Sequence, residues 1–134
     1  MPKPPLPSHL EAVLREPNPA VLGTVRPDGK PNTVATWYLW ENGRALVNMD
    51  MGRRRLEYLR ENPNVSLTVL DRDSWYRHVT VHGRIALEDD PGLSDIDRIA
   101  RHYTGQPYAQ RDRRRVSGWI EIEGWFAWDD GPWT

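Results

Sequence analysis

The sequence predicts an α+β fold, with six antiparallel strands rolled into a small barrel and short helices set between them. Three observations predict it. Segments with apolar residues at every second position recur along the chain, the mark of half-buried strands. The two longest of these carry a central glycine, Gly83 and Gly124, where a barrel needs a bulge or a bend. The helical segments are short and lack the regular strand–helix alternation of a parallel sheet.

Met1 to Ser8 holds four prolines and no apolar core, so it reads as a flexible lead and not as a signal or transit peptide. Ser8-His9-Leu10-Glu11 has the form of a capping box, which predicts a helix over 9–16 that stops before Pro17. The apolar run Ala20–Val25 and the β-rich segment Asn32–Trp40 flank the turn Pro27-Asp28-Gly29-Lys30, which predicts a hairpin. A second turn, Glu41-Asn42-Gly43, leads into a third strand over Arg44–Met49, so the front half reads as a three-stranded meander. Leu56 and Leu59 fall at helical spacing within 53–61, and Asn62-Pro63 ends that helix.

Val65–Leu70 alternates as a fourth strand. Trp75–Leu87 is the longest, with Val79, Val81, Ile85 and Leu87 on one face and His78, Thr80, His82 and Arg84 on the other. A helix follows Asp90-Pro91, carries Leu93, Ile96, Ile99, Ala100 and Tyr103, and ends at Gly105. The last strand, Trp119–Trp128, sets Ile120, Ile122, Phe126 and Trp128 against Glu121 and Glu123. At 134 residues the whole is expected to be a single domain.

Composition narrows the function. Cysteine is absent, which excludes disulfides, thiolate catalysis and cysteine-ligated metal. A net charge of −1 argues against a nucleic acid as partner. No apolar run reaches the length of a membrane span, so no membrane association is expected and the cytoplasm is the default location. His78 and His82 are four apart, but on a strand that puts them roughly 13 Å from each other; no metal site is expected. Lys3 and Lys30 are the only lysines among 18 basic residues. Nearly all the positive charge is therefore guanidinium, suited to planar recognition of phosphate and carboxylate.

The informative stretch is Asn48-Met49-Asp50-Met51-Gly52-Arg53-Arg54-Arg55-Leu56. A strand ends, a glycine turns the chain, and arginines open a helix. First-turn cations oppose the helix dipole; a bound phosphate there would offset that, and so would pairing with Glu57 and Glu61 on a solvated face.

Gly23-Thr24-Val25-Arg26-Pro27-Asp28-Gly29-Lys30-Pro31 opens a series of further elements. These are Thr36-Trp37-Tyr38, then Arg53 and Arg55 followed by Leu59, Asn62-Pro63 and Val65-Ser66-Leu67, then Val81, Gly83 and Ala86, and last Tyr103-Thr104-Gly105. In this order, over roughly 21–128, they resemble the pyridoxamine 5'-phosphate oxidase-like split-barrel family that binds flavins and deazaflavins.

The resemblance implies a six-stranded split barrel, a homodimer with cofactor at the subunit interface, and hydride transfer to a small-molecule substrate. It implies that Arg53 and Arg55 hold the cofactor phosphate and that the ring lies along the strand Ala35–Tyr38, with Thr36, Trp37 and Tyr38 as cofactor contacts. Arg55 stands where many members carry lysine. Asn48, at a position often held by a small hydroxyl residue, would touch the phosphate, and Trp75 matches a residue that in some relatives reaches across the dimer.

Coenzyme F420 and FMN share a tricyclic ring and a phosphate, so the pocket core does not separate them. F420 adds an anionic oligoglutamate tail, for which Arg113 and Arg114 in the basic run 111–115 are candidates. That run can equally be a solvated loop. The F420-dependent branch is favoured, with an unsaturated or quinone-like acceptor; an FMN oxidoreductase and a non-catalytic binding module are the alternatives. No acid or base residue is assigned, since in such proteins the cofactor carries the hard chemistry.

Overall fold

The computed structural model describes residues 1–129 of the chain. Its elements are α1 (Ser8–Arg15), β1 (Ala20–Val25), β2 (Pro31–Thr36), β3 (Leu39–Glu41), β4 (Arg44–Asp50), α2 (Arg54–Glu61), β5 (Asn64–Leu70), β6 (Arg77–Asp89), α3 (Ser94–Thr104) and β7 (Arg115–Asp129). The seven strands form one antiparallel sheet in the order β2-β1-β5-β6-β7-β4-β3. The fold is the α+β antiparallel sheet predicted, with one strand more.

The extra strand comes from a break in 32–40, which the sequence reading takes as a single strand. β2 pairs with β1 at one end of the sheet and β3 with β4 at the other, so the front half is two hairpins and not a meander. Trp37 and Tyr38 make the crossing. Tyr38 donates its backbone N–H to Tyr103 Oη at 3.4 Å, and its own hydroxyl donates to the Leu14 carbonyl at 2.7 Å. The ring is fully buried. An aromatic tethered inward in this way takes the backbone out of the ladder.

Both hairpin turns follow the sequence. Gly29 adopts φ 82° and Asp28 accepts the Lys30 N–H at 3.1 Å. Asn42 and Gly43 both have positive φ, the turn whose twist suits a two-residue hairpin.

β6 and β7 form the longest ladder, and its register shifts between His82 and Gly83. Gly83 pairs with Ile122 and His82 with Gly124, leaving Glu123 as an extra residue. This is the bulge that the glycines announce. A Cβ at Gly83 would run into the Glu121 carbonyl, so only glycine fits there. The bulge also reverses the faces of β7, so Phe126 is 45% exposed instead of sharing an inner face with Ile120 and Ile122.

The capping box of α1 does not form: Pro7 takes the cap position without a side-chain bond. Glu11 instead accepts from Trp40 Nε1 at 3.1 Å and pairs with Arg15. The segment before α1, expected to be a flexible lead, lies against β7. Trp125 donates its backbone N–H to Pro2 at 3.0 Å and its indole N–H to Lys3 at 3.2 Å, and Leu6 is buried.

One apolar cluster joins α1 and α2 to the inner face of the sheet, through residues such as Leu10, Leu14, Leu22, Leu56, Leu67 and Ile120. A second, built from Leu46, Leu93, Ile96 and Ile99, seats α3. Among the described residues no helix is long and apolar enough to cross a membrane.

Candidate functional site

A cavity of about 600 Å³ opens where β2, the Trp37 crossing, α2, α3 and the start of β7 meet. Ala20, Ala35, Ile96 and Ile99 give it an apolar wall. Trp37 and Tyr103 stack on one another beside that wall, with ring centroids 5.2 Å apart and planes within 10°. Arg55, Arg115, Asn48 and Tyr108 supply the polar part.

Arg55 is the second residue of α2, where helical N–H groups point outward and the dipole is positive. It is half-buried, and its Nε is enclosed with no hydrogen-bond partner. Burial, and then the charges of Arg53 and Arg115, push its guanidinium below the ordinary value. Among the described residues it forms no ion pair. A buried donor left open beside like charges is one that an anion would satisfy.

Arg115 opens β7 and donates Nε–H to Asn48 Oδ1 at 2.7 Å and Nη1–H to the Tyr108 hydroxyl at 3.3 Å. Its guanidinium lies 4.6 Å from the Tyr108 ring centroid. Tyr103 donates its hydroxyl to the Asn18 carbonyl at 2.6 Å, and burial pushes that hydroxyl up to about 12. Its hydroxyl proton is engaged with the Asn18 carbonyl.

The candidate residues sort into three groups. Thr36, Trp37, Asn48 and Arg55 come together at the cavity. Tyr38 lies beside it but turns its ring into the core, with its hydroxyl pushed upward chiefly by burial. Its side chain is therefore not among those lining the cavity, although Tyr38 is one of the expected cofactor contacts. Arg53, Trp75, Arg113 and Arg114 lie elsewhere.

Arg53 and Arg113 line a separate recess with Asp50, Gly52 and Gln110. Arg53 is the cap residue of α2 and lines this neighbouring recess, while its charge still acts on Arg55. Arg113 pairs with Asp50 at 3.2 Å, and Arg114 reaches Asp89 at 3.8 Å while 79% exposed. Trp75 precedes β6, 62% exposed and stacked on Tyr76.

Tyr108, Ile96 and Ile99 also line the cavity and the sequence reading misses them; Arg115 it names only within the basic run 111–115, not at this cavity. The signal for Arg115 was present, since it ends the basic run and begins the strand, but β7 starts four residues before Trp119.

The sequence profile of the pyridoxamine 5'-phosphate oxidase family matches residues 6–129. The chain belongs to that family. Among curated proteins none matches. An F420 reductase is 26% identical, with a TM-score of 0.82 over 90% of this chain and 98% of that one. A conserved hypothetical protein from Mycobacterium tuberculosis is 23% identical, with a TM-score of 0.77 over 95% and 86%. General stress protein 26 from Bacillus anthracis str. Sterne is 21% identical, with a TM-score of 0.70 over 94% of each chain. The last two show the split-barrel fold of this pyridoxamine 5'-phosphate oxidase family member.

Proposed function

We propose that the chain binds coenzyme F420 in the 600 Å³ cavity and uses it as a reductase of unsaturated or quinone-like small molecules. The observation that carries this is the half-buried Arg55 with its open Nε, in the same cavity as Arg115. Two guanidinium groups suit a phosphate. The apolar wall and the Trp37–Tyr103 stack suit a planar ring. The cavity is of the size usual for a small ligand.

When bound, the reduced deazaflavin supplies the hydride. The chain's own residues do the rest: Arg55 and Arg115 hold the phosphate, Trp37 and Tyr103 bound the ring's plane, and Ala35, Ile96 and Ile99 exclude water. Family membership supports a flavin or a deazaflavin; the F420 reductase neighbour favours F420 over FMN.

We also propose a homodimer, supported by the exposed aromatics Trp37, Trp75, Tyr76 and Phe126. The test is turnover: reduced F420 mixed with protein and a quinone should regain the absorbance of the oxidised cofactor in proportion to protein. FMN bound tightly with F420 ignored would move the assignment to a flavin enzyme. F420 bound without turnover would make the protein a binding module.

A further inference from the structure

The resemblance implies that Asn48 touches the phosphate, yet its hydrogen bonds point elsewhere. Ser117 has one hydroxyl proton, and at 2.7 Å from Asp95 Oδ2 it donates that proton to the carboxylate. The Ser117 oxygen is left to accept, and it accepts Asn48 Nδ2–H at 3.2 Å. The same nitrogen donates to Asp90 Oδ2 at 3.1 Å. Both amide hydrogens of Asn48 are therefore engaged. Its oxygen accepts Arg115 Nε–H at 2.7 Å. A flipped amide would set oxygen against two acceptors and nitrogen against a donor, so the orientation is fixed.

The far end of this chain of bonds is equally fixed. Asp90 is buried and accepts the backbone N–H groups of Asp95 at 3.1 Å and Ile96 at 3.0 Å, in the first turn of α3. Asn48 thus ties Arg115 to the start of a helix.

We infer that Asn48 is a positioning residue that aims the Arg115 guanidinium into the cavity, toward the phosphate of the bound cofactor. The ligand in this inference rests on the function proposed above; the aiming rests on the hydrogen bonds alone. With Nε held by Asn48 and Nη1 by Tyr108, Arg115 keeps its remaining donors for a ligand. Its rotamer is chosen on folding, so little ordering is left to be done on binding.

Two readouts on the full chain test this. The first is solvent exchange of the Arg115 Nε–H by nitrogen-15 NMR without cofactor, and the second is affinity for F420 and for its phosphate-free deazaflavin riboside. Asn48→Ala should speed the exchange about tenfold, as loss of a protecting hydrogen bond does. It should weaken F420 by about tenfold and leave the riboside unchanged. In an Arg115→Ala background, Asn48→Ala should add nothing.

Unchanged exchange, additive loss for the double variant, or equal loss for the riboside would each overturn the positioning role. If Asn48→Ala does not fold, Arg115→Lys keeps the charge and the bonds of Asn48 to Asp90 and Ser117 but lacks the Nε–H that Asn48 accepts. It should bind F420 as weakly as Arg115→Ala, and wild-type affinity would overturn the inference. A wild-type protein that ignores F420 while Asn48→Ala still speeds exchange removes the proposed ligand and leaves the aiming intact.

Discussion

Arg55 is held half-buried with an unpartnered Nε at the first turn of a helix, so removing its charge acts on the ligand before it acts on the fold. Arg55→Ala should weaken F420 binding by about 1.5–3 kcal/mol, the range for a hydrogen bond to a charged group, with little change in melting temperature. Arg54→Ala, on an exposed position that lines none of the recesses described, should leave affinity unchanged; isothermal titration of the two variants separates a formed phosphate site from diffuse charge. Tyr103→Phe removes the hydroxyl from Asn18 and from the Tyr38 backbone, and should cost about 1 kcal/mol of unfolding free energy, measured by urea denaturation.

The place of Arg55 was legible in the sequence, just inside a helix that follows a strand and a glycine, but the choice between an anion site and a solvated face paired with Glu57 and Glu61 was not. Nor was the direction of Tyr38. Its β-rich surroundings say that it alternates but not which way it points once the chain leaves the sheet.

At the scale of elements, the α3–β7 loop closes one side of the cavity, and Asp97 pins it. Asp97 takes Arg111 at 2.8 Å and 3.0 Å and the Tyr108 N–H at 2.9 Å. The Arg111 hydrogen bonds, then the Tyr108 N–H, hold its carboxyl below the ordinary range. A folded-state value below the unfolded one makes this contribution complete above the ordinary carboxylate pKa of about 3.9, and it is lost as pH falls through the lower folded value. Asp97→Asn should therefore lower the melting temperature at pH 7, with the gap to wild type closing toward pH 3, in a series of thermal unfolding curves.

On the same loop Arg114 is only loosely paired, so Arg114→Glu should weaken F420 a few-fold at low salt, less at high salt, and leave FMN unaffected. Equal effects on both cofactors would return Arg114 to a solvated surface role. Strand alternation and turn residues were legible for most of the sheet. The split at Trp37 and the reversal after Glu123 were not, because a bulge in one strand is fixed by its partner, and no period within a single segment carries that information.

For the whole molecule, the cavity is lined by residues of a single chain, among them Trp37, which is 38% exposed. In the homodimer proposed above, a second copy over Trp37 would shield a bound ring from water. Light scattering at micromolar concentration should give twice the chain mass, and a monomer would remove that element of the account. The fold was readable because several weak signals agreed in order along the chain, and the family followed from the same order. The choice between deazaflavin and flavin was not, since both present a phosphate and a tricyclic ring to the same guanidinium groups. The most direct measurement is a titration of the purified protein with F420 and, separately, FMN, by cofactor fluorescence, for wild type and for Arg55→Ala. Saturable F420 binding that is weaker by tenfold or more in the variant is the predicted result; no binding of either cofactor, or binding indifferent to Arg55, would contradict it.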